Sequence, residues 1–394
     1  MSTVEFVSKA VGFVALALAV TACGADGGAK GPAPCQEQSG HACVWLGTGN
    51  DGFNGDGHDR LDTDIYWSMD LLFASDGTPW FIDWNNYLVR CVLPDRTVKT
   101  MVGWTDPIFP GDGTGDASES MPPGADGTLV QLNHPTELLE ADDGAILLMA
   151  WHNHKLRRID PATDKVLILA GAGAGFAGDG GPMAKALFKQ PKALTKDADG
   201  NLYIGDQQNF RVRRIDSSGI ITTYAGNGTQ GTTGDGGPAT DAELDWSFGS
   251  NPEPQGGLAV ADEKLYVADT LANRIRVIDL TTGEIDAFAG TGDAGYSGDG
   301  GPASEATFNG PRKLVVGPDG SLYVADTDNH VIRAIDLTSG VVRTVAGTGE
   351  QGRDEDGKLA TETKLNRPFG LAFDPDGNLY VMDTLNSRIL KVMK

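Results

Sequence analysis

One segment recurs six times along this chain of 394 residues, and its spacing constrains the fold more than any other feature. The clearest copy, residues 319–349, reads "DGSLYVADTDNHVIRAIDLTSGVVRTVAGTG". The residues that close the "LYVAD" motif or its counterpart lie 56 to 67 positions apart and are Asp83, Ala150, Asp206, Asp269, Asp326 and Asp383. A repeat of this period indicates an array of similar structural units, because one such unit cannot bury its apolar surface alone.

Each copy contains four short apolar runs. In the clearest copy these are "KLVV", "LYVAD", "VIRAID" and "VVRTVA", with Pro-Asp-Gly, Asp-Asn and Thr-Ser-Gly between them. Short runs rich in β-branched residues and bounded by turn residues predict β-strands. Six four-stranded units without intervening helices predict an all-β fold, a six-bladed β-propeller, rather than a parallel α/β sheet.

The sixth copy ends at Lys394 after three strands, so its fourth strand must come from elsewhere. The segment "CVWLGTG" (43–49) matches "RTVAGTG" (343–349) in register. We therefore expect the N-terminal strand to complete the last blade, which closes the ring and leaves no unpaired sheet edge there. The predicted propeller domain is 43–394.

The repeated string Asp-Thr/Gln-x-Asn-x-x-Val/Ile-Arg, with "LYVAD" before it and "ID" after it, resembles the NHL repeat. The resemblance covers residues 43–394, and "AGTGxxGxxGDGGPA" is similar to the loops of long-looped NHL proteins secreted by bacteria. The motif changes in three copies, at Ala150, Ala272 and Leu390. These departures indicate that the repeats are not six equivalent active sites.

Gly290, Gly292 and Gly295 match the dinucleotide-binding pattern G-x-G-x-x-G, which recurs elsewhere in the chain. A nucleotide-binding loop of this kind opens a long helix whose N-terminus holds the pyrophosphate. Here the loop leads into Gly-Asp-Gly and at most one helical turn. Glycine permits the tight backbone conformations of a crossover between blades, and we therefore expect no nucleotide ligand.

Residues 1–22 have the pattern of a signal peptide, and "VTAC" ends at Cys23. Small residues before a cysteine resemble the lipobox of bacterial lipoproteins, which implies a lipid on Cys23. An ordinary signal peptide cut nearby is the alternative. Residues 23–42, rich in Gly and Ala, are expected to form a flexible tether. After export to an oxidising compartment, the favoured disulfide joins Cys35 to Cys43, and no Cys/His spacing suggests zinc.

The aspartates recur in two series. One closes the "LYVAD" strands, and the other lies in the Gly-Asp-Gly loops as Asp56, Asp112, Asp179, Asp235, Asp299 and Asp356. Both series are expected on one face. They could cap loops and pair with the arginines of the repeat, or bind a divalent cation; we favour the structural role because no single loop supplies six oxygen ligands.

Residues that differ between blades are the better guide to function. The position after the strand-closing residue is Trp84 in the first copy and Trp151 in the second, followed there by His152 and His154. Two insertions, 104–135 and 239–257, carry further aromatic residues, among them Trp246. Large aromatic side chains beside long loops are typical of recognition surfaces, so these five residues are the predicted ligand contacts.

The formal net charge of −23 and the lack of a Lys/Arg cluster argue against nucleic acid as a partner. We expect a lipid-anchored protein of the bacterial cell envelope, at the outer membrane or cell surface rather than the cytoplasmic membrane. It would be a platform for a protein or glycan ligand, without cofactor or metal. The alternative is a metal-dependent propeller hydrolase or lyase similar to lactonases, which rests on fold analogy alone.

Overall fold

The computed structural model describes residue 35 and residues 37–105, 117–249 and 253–394. Across these residues the chain forms six antiparallel sheets. In five of them the four main strands follow sequence order from the innermost outward, and in the sixth the N-terminal strand takes the outermost place. Cys35–Lys394 form one compact unit. The predicted six-bladed β-propeller is therefore confirmed.

The first blade consists of Ser68–Phe73, Pro79–Asp83, Leu88–Val92 and Val98–Val102. The second consists of Pro135–Glu140, Ile146–Ala150, Lys155–Asp160 and Lys165–Ala170. The third consists of Pro191–Lys196, Leu202–Asp206, Arg211–Ile215 and Ile220–Ala225. The fourth consists of Leu258–Ala261, Lys264–Asp269, Arg274–Asp279 and Glu284–Ala289. The fifth consists of Pro311–Val316, Ser321–Asp326, Val331–Asp336 and Val342–Ala346. The sixth consists of Gly370–Phe373, Leu379–Asp383, Arg388–Val392 and the N-terminal strand Ala42–Leu46.

Three blades carry an additional two-residue strand at the outer edge: Ala125–Asp126, Gly181–Pro182 and Gly237–Pro238. The described helical segments are short 3-10 turns: Ala117–Ser120, Gly127–Leu129, Met183–Lys185, Gln207–Asn209, Ala239–Asp241, Ala303–Glu305, Thr327–Asn329, Ala360–Glu362 and Thr384–Asn386. Nowhere in the described ranges does a helix reach the length and apolarity that a bilayer crossing requires.

The N-terminal strand closes the ring as the sequence predicts. Ala42 pairs with Val392 and Val44 with Leu390, so the first strand of the domain lies antiparallel to the last. The backbone N–H of Gly40 also donates to the carbonyl of Met393 (2.8 Å). The edge strand of the sixth blade is thereby covered.

The apolar core is divided among the junctions between blades. Each of the six buried clusters in the described region lies mainly between two neighbouring blades, and one of them covers the closure between the sixth and the first. Cys91 lies in the cluster between the first two blades, where burial raises the pKa of its thiol to about 11. The strands thus alternate side chains toward the two adjacent blades, and the innermost strands surround a central channel.

The glycine-rich loops are the crossovers between blades. Gly290 has a φ of +93°, and a Cβ there would lie 2.6 Å from the carbonyl oxygen of Asn273. Gly226 repeats this arrangement against the carbonyl of Phe210. Close backbone approach and left-handed backbone conformation therefore account for these glycines.

Candidate functional site

The position after the strand-closing residue links adjacent blades where it is threonine. The hydroxyl groups of Thr270, Thr327 and Thr384 donate to main-chain carbonyls of the next blade at 2.8 to 3.0 Å. All three side chains are buried. In the first two blades this position is tryptophan, so the threonine hydroxyl bond to a main-chain carbonyl is absent there, and large rings occupy the junction.

Trp84 and Trp151 belong to a cluster of rings on the face where the innermost strands begin. We call Trp67, Trp84, His134, Trp151 and His152 the aromatic cluster. The indoles of Trp67 and Trp84 are nearly parallel, with centroids 6.0 Å apart. His134 lies 4.4 Å from Trp84, and His152 stacks on Trp151 at 4.1 Å. The first two blades thus share one continuous aromatic surface.

The members of the aromatic cluster differ in exposure. Trp67, Trp84, His134 and His152 are half-buried. Trp151 is completely buried, and its indole N–H donates to Oε1 of Gln207 (3.2 Å). The prediction of Trp151 as a direct ligand contact is therefore corrected: it supports the cluster from behind.

His134 was not among the residues predicted from the sequence, yet it lies at the centre of the cluster. Its Nδ1 is 2.9 Å from Nδ1 of His152, and both nitrogens face Oδ1 of Asn133. Burial, with a contribution from His152, lowers the pKa of His134 to about 3. Its imidazole is therefore neutral at pH 7.

His154 does not join the aromatic cluster in the way predicted. Its Nδ1 accepts the backbone N–H of Gln190 in the next blade (2.9 Å). His330 makes the same contact with the backbone of Arg367 (3.1 Å), and Asn273 does so with Gly310. Burial, then Lys155 and Lys189, lowers the pKa of His154. Its position in the repeat is therefore structural.

Trp246 is also corrected, because the insertion 239–257 folds it into the core between the third and fourth blades. Its side chain is completely buried, and the indole N–H donates to the carbonyl of Ala268 (2.9 Å). Gln207 holds the same insertion through the carbonyls of Ser247 and Glu253. A large aromatic residue in this insertion anchors the loop instead of meeting solvent.

The repeated arginines are buried, and in several blades they form ion pairs with both the strand-closing and the crossover aspartates. Arg213, for example, lies 2.6 Å from Asp179 of the crossover loop and 3.3 Å from Asp206, which closes the strand. Burial raises the pKa of Asp206 to about 6, although Asn209 and Arg213 oppose the shift. These contacts support the structural interpretation of the acidic residues, while Asp112 lies outside the described residues.

In two blades, one residue of this Asp–Arg network is missing and another residue takes over its contacts. In the second blade, where Ala150 stands for aspartate, Asn153 accepts from Arg157 (3.0 Å) and from the backbone N–H of Asn133 (3.0 Å). Glu119 supplies the carboxylate for Arg157 at 2.8 Å. In the sixth blade, where Leu390 stands for arginine, Arg388 reaches Asp383 (2.7 Å) from two residues earlier. Neither substitute was identified from the sequence.

A cluster of charged side chains, which the sequence analysis did not predict, spans the central channel. We call Asp70, Glu137, Lys192 and Lys313 the central ion cluster; all four are buried. Lys313 lies 2.8 Å from Asp70 and 2.5 Å from Glu137, and Lys192 lies 3.2 Å from Glu137. Burial and the neighbouring Glu137 raise the pKa of Asp70, while the two carboxylates raise that of Lys313.

Asp70, Glu137 and Lys313 of the central ion cluster line a cavity of about 400 Å³. Its walls include one leucine from each blade: Leu71, Leu138, Leu194, Leu258, Leu314 and Leu371. The cavity extends toward the carboxyl ends of the innermost strands, where residues such as Phe73 and Val316 are half-buried. It therefore lies toward the face opposite to the aromatic cluster.

Charged residues occupy the other half of the channel mouth. We call Glu253, Arg312, Asp328 and Arg367 the arginine cluster. Both guanidinium nitrogens Nη1 and Nη2 of Arg367 contact Glu253 at 2.8 Å, and Arg312 reaches the same carboxylate at 2.5 Å. Hydrogen bonding from Arg367, supported by the charge of Arg312, lowers the pKa of Glu253 to about 2. Glu253 thereby ties the insertion 239–257 across the fifth and sixth blades.

Cys35 and Cys43 form a disulfide, with Cα atoms 5.8 Å apart, beside the strand that closes the ring. Cys23, the predicted signal peptide and most of the predicted tether lie outside the described residues. In the described part of the chain, no group of three or more His, Cys, Asp or Glu side chains is arranged to hold a metal ion.

Comparison with known proteins identifies the repeat. The model of the NHL repeat matches residues 308–334. Protein SUPPRESSOR OF QUENCHING 1, chloroplastic, of Arabidopsis thaliana is 33% identical over 251 residues, 60% of this chain. Mouse Teneurin-1 is 30% identical over 55% of this chain, and human NHL repeat-containing protein 2 is 38% identical over 29%. The chain spans only 8% to 23% of the length of these relatives.

Solved structures share the fold at low sequence identity. A structural genomics protein of unknown function from Bacteroides thetaiotaomicron superposes with a TM-score of 0.65 at 17% identity, covering 89% of this chain and 75% of that protein. An auxiliary nutrient binding protein from the same organism gives a TM-score of 0.60 at 16% identity, with the same coverage. A second auxiliary nutrient binding protein, from Bacteroides ovatus, gives 0.61 at 14% identity, covering 89% of this chain and 76% of that protein.

Proposed function

We propose that this six-bladed propeller of NHL repeats is an exported, membrane-anchored binding platform, and that it holds a protein or glycan ligand against the aromatic cluster. The main observation behind this proposal is the pair of half-buried, nearly parallel indoles of Trp67 and Trp84, with centroids 6.0 Å apart. Large amphipathic rings of this kind provide contact area at little cost in conformational entropy.

The surroundings of the two indoles favour a preformed surface. Trp151 packs behind Trp84 with ring centroids 6.3 Å apart, and the edge of Tyr87 meets His134 at 4.8 Å. Because these rings are fixed by the rigid blades, little ordering is needed when a ligand binds. The flat face of an indole suits the apolar face of a sugar ring or an apolar side chain of a protein.

The comparisons support a binding role in a limited way. Two proteins that share the fold are described as auxiliary nutrient binding proteins, and both come from Bacteroides species. At 14% to 16% identity they share the architecture with this chain, so the ligand is proposed from the aromatic cluster and not from them.

Binding to glycans provides the test of this surface. Glycan arrays and titrations followed by tryptophan fluorescence are performed on the wild type, on Trp67→Ala and on Trp84→Ala. We expect each substitution to weaken binding at least about tenfold, in the range of a central interface aromatic residue. Phe248→Ala is the control, since this exposed ring lies on the insertion and contacts Phe210. Binding that survives both tryptophan substitutions contradicts the proposed surface.

The membrane anchor is proposed from the segment that ends at Cys23. A diacylated Cys23 would hold the chain at the cell envelope, and the residues before Cys35 would separate the propeller from the bilayer. In a bacterial host, metabolic labelling with an alkyne-bearing fatty acid should mark the wild type but not Cys23→Ser. The variant should also leave the membrane fraction. Label on the Cys23→Ser variant, or an unlabelled wild type, contradicts the anchor.

A further inference from the structure

The cavity at the centre of the ring has the size and composition of a small-molecule site. Its volume of about 400 Å³ lies within the range of about 300 to 1,000 Å³ that is usual for ligand pockets. Most of the side chains that line it are apolar, and the three charged ones lie together. Apolar walls with a few convergent polar groups are typical of a binding site for a small organic molecule.

The charged side chains occupy the deep end of the cavity. Asp70, Glu137 and Lys313 each directly precede the leucine of their strand, so they lie farther from the mouth than the ring of leucines. Lys192 lies deeper still, two positions before its leucine, where its ammonium group reaches the carbonyl of Arg312 (3.4 Å). Two carboxylates and one ammonium group therefore line the cavity, which leaves its charged end negative.

The negative charge of Asp70 is incompletely compensated. This side chain is buried, and its Oδ2 accepts the backbone N–H of Leu138 (2.9 Å). Oδ1 faces the ammonium group of Lys313 at 2.8 Å, but it accepts no hydrogen bond of good geometry from the described residues. Burial, together with repulsion from Glu137, raises the pKa of Asp70 to about 6 although Lys313 opposes the shift. A buried acceptor of this kind is suited to a further N–H donor that carries positive charge.

The mouth of the cavity also favours cations. It opens among the six turns that follow the innermost strands; each turn contains at least one acidic residue, and none contains Lys or Arg. Arg158, Lys196 and Arg343, which lie outside these turns, pair with three of the acidic residues. A concave site surrounded by charge of one sign attracts ligands of the opposite sign. The acidic residues of the six turns are Asp76, Asp142, Asp143, Asp197, Asp199, Asp262, Glu263, Asp319, Asp374 and Asp376.

We propose that the central cavity binds a small organic cation, a primary ammonium compound with an apolar body. Its ammonium group donates to the carboxylates of Asp70 and Glu137, and its apolar part packs against the ring of leucines. An anion of the same shape would be repelled by these carboxylates, while a neutral molecule would leave the charge of Asp70 uncompensated. The cavity opens on the face opposite to the aromatic cluster, so this inference does not rest on the proposed function.

Isothermal titration calorimetry of the full chain with matched probes provides the test. Hexylammonium, hexanol and hexanoate have the same apolar chain and differ in the charge of the head group. We expect one hexylammonium ion per chain, bound at least about tenfold more tightly than hexanol or hexanoate. Methylammonium, which lacks most of the apolar body, should bind at least about tenfold more weakly than hexylammonium.

Two variants locate the binding site. Asp70→Asn keeps the shape of the side chain but removes its charge, so hexylammonium should then bind no more tightly than hexanol. Thr195→Trp places a large ring in the cavity at a half-buried lining position, and it should abolish binding of all the probes. Thr222→Trp is the matched control, because Thr222 is exposed on the outermost main strand of the same blade. Trp84→Ala should bind hexylammonium like the wild type, which separates this site from the aromatic cluster.

Thermal unfolding verifies that each variant is folded. If Asp70→Asn loses its cooperative transition, Thr195→Trp still tests the site, since Thr195 makes no contact within the central ion cluster in the described structure. Three outcomes would overturn the proposal: no measurable binding of hexylammonium to the wild type, equal affinity for the three probes with the hexyl chain, or binding that survives Thr195→Trp.

Discussion

The two halves of the channel mouth use the same repeat in different ways. In the fourth to sixth blades, threonines link each blade to the next, and the arginine cluster ties the insertion 239–257 across the mouth. In the first two blades, Trp84 and Trp151 replace the threonine, and the aromatic cluster takes the place of the polar contacts. Large rings therefore occur where the repeat lacks the threonine hydroxyl, and this departure from the repeat distinguishes the aromatic half from the other.

The largest effect is expected where the two halves are joined. Lys313 of the fifth blade contacts Asp70 of the first and Glu137 of the second, so Lys313→Met leaves two buried carboxylates without this partner. We expect the free energy of unfolding to fall by about 3–5 kcal/mol, measured by urea denaturation. Lys364→Ala, which breaks an exposed pair with Glu350, should leave the free energy of unfolding nearly unchanged. Equal losses would show that the central ion cluster is not a link between the halves.

A smaller effect is expected at the threonine link. Thr327→Val keeps the side-chain volume but removes the hydroxyl that donates to the carbonyl of Pro368 (2.8 Å). Because Thr327 is completely buried, we expect a loss of about 1–2 kcal/mol in denaturant unfolding. Thr338→Val, at an exposed position, should leave stability nearly unchanged. A neutral Thr327→Val would mean that the two halves do not differ in how their blades are joined.

The smallest effect concerns pH and the arginine cluster. The pKa of Glu253 is about 2 in the folded chain, below its ordinary value of 4.5, because Arg367 and Arg312 bind its carboxylate. A lowered carboxyl pKa adds stability above pH 4.5, and this contribution disappears as the pH falls through about 2. Wild type should therefore be more stable than Glu253→Gln at pH 7, by less than about 1 kcal/mol since the side chain is half exposed. Denaturation curves between pH 7 and pH 2 should converge; a constant difference contradicts the assignment.

Much of the fold could be predicted because its signals are local. The strand runs, the turn residues between them and the interval between copies lie within about sixty residues of one another. The closing strand could be predicted because Val44 and its neighbours match the last strand of another copy, and the structure confirms this pairing. The structural role of a position that recurs in every blade can therefore be predicted by comparing the copies of the repeat.

The candidate site was predicted less well. The ligand contacts stay predictions, although Trp84 and His152, which break the repeat, do lie together in the aromatic cluster. Trp246 and His154 have structural roles that the sequence analysis did not foresee. Trp246 is buried by the fold of a non-repeating insertion, while His154 has a structural counterpart in His330 that comparison of the copies could have found. His134 had a usable signal as well. It precedes Pro135 in the position that Gln190, Gly310 and Arg367 occupy before their prolines.

The sequence by itself determined the six blades, their strand order and the closure of the ring, because alternating apolar residues and turns specify strands locally. Only the tertiary structure decided which side chains meet. Lys313 and Glu137 are 176 residues apart and touch because the ring brings opposite blades to one axis. Asn133 and His152 meet because the start of one strand and the end of the next are neighbours in an antiparallel blade. Pairing across a closed ring depends on the curvature of the whole array, which no single repeat contains.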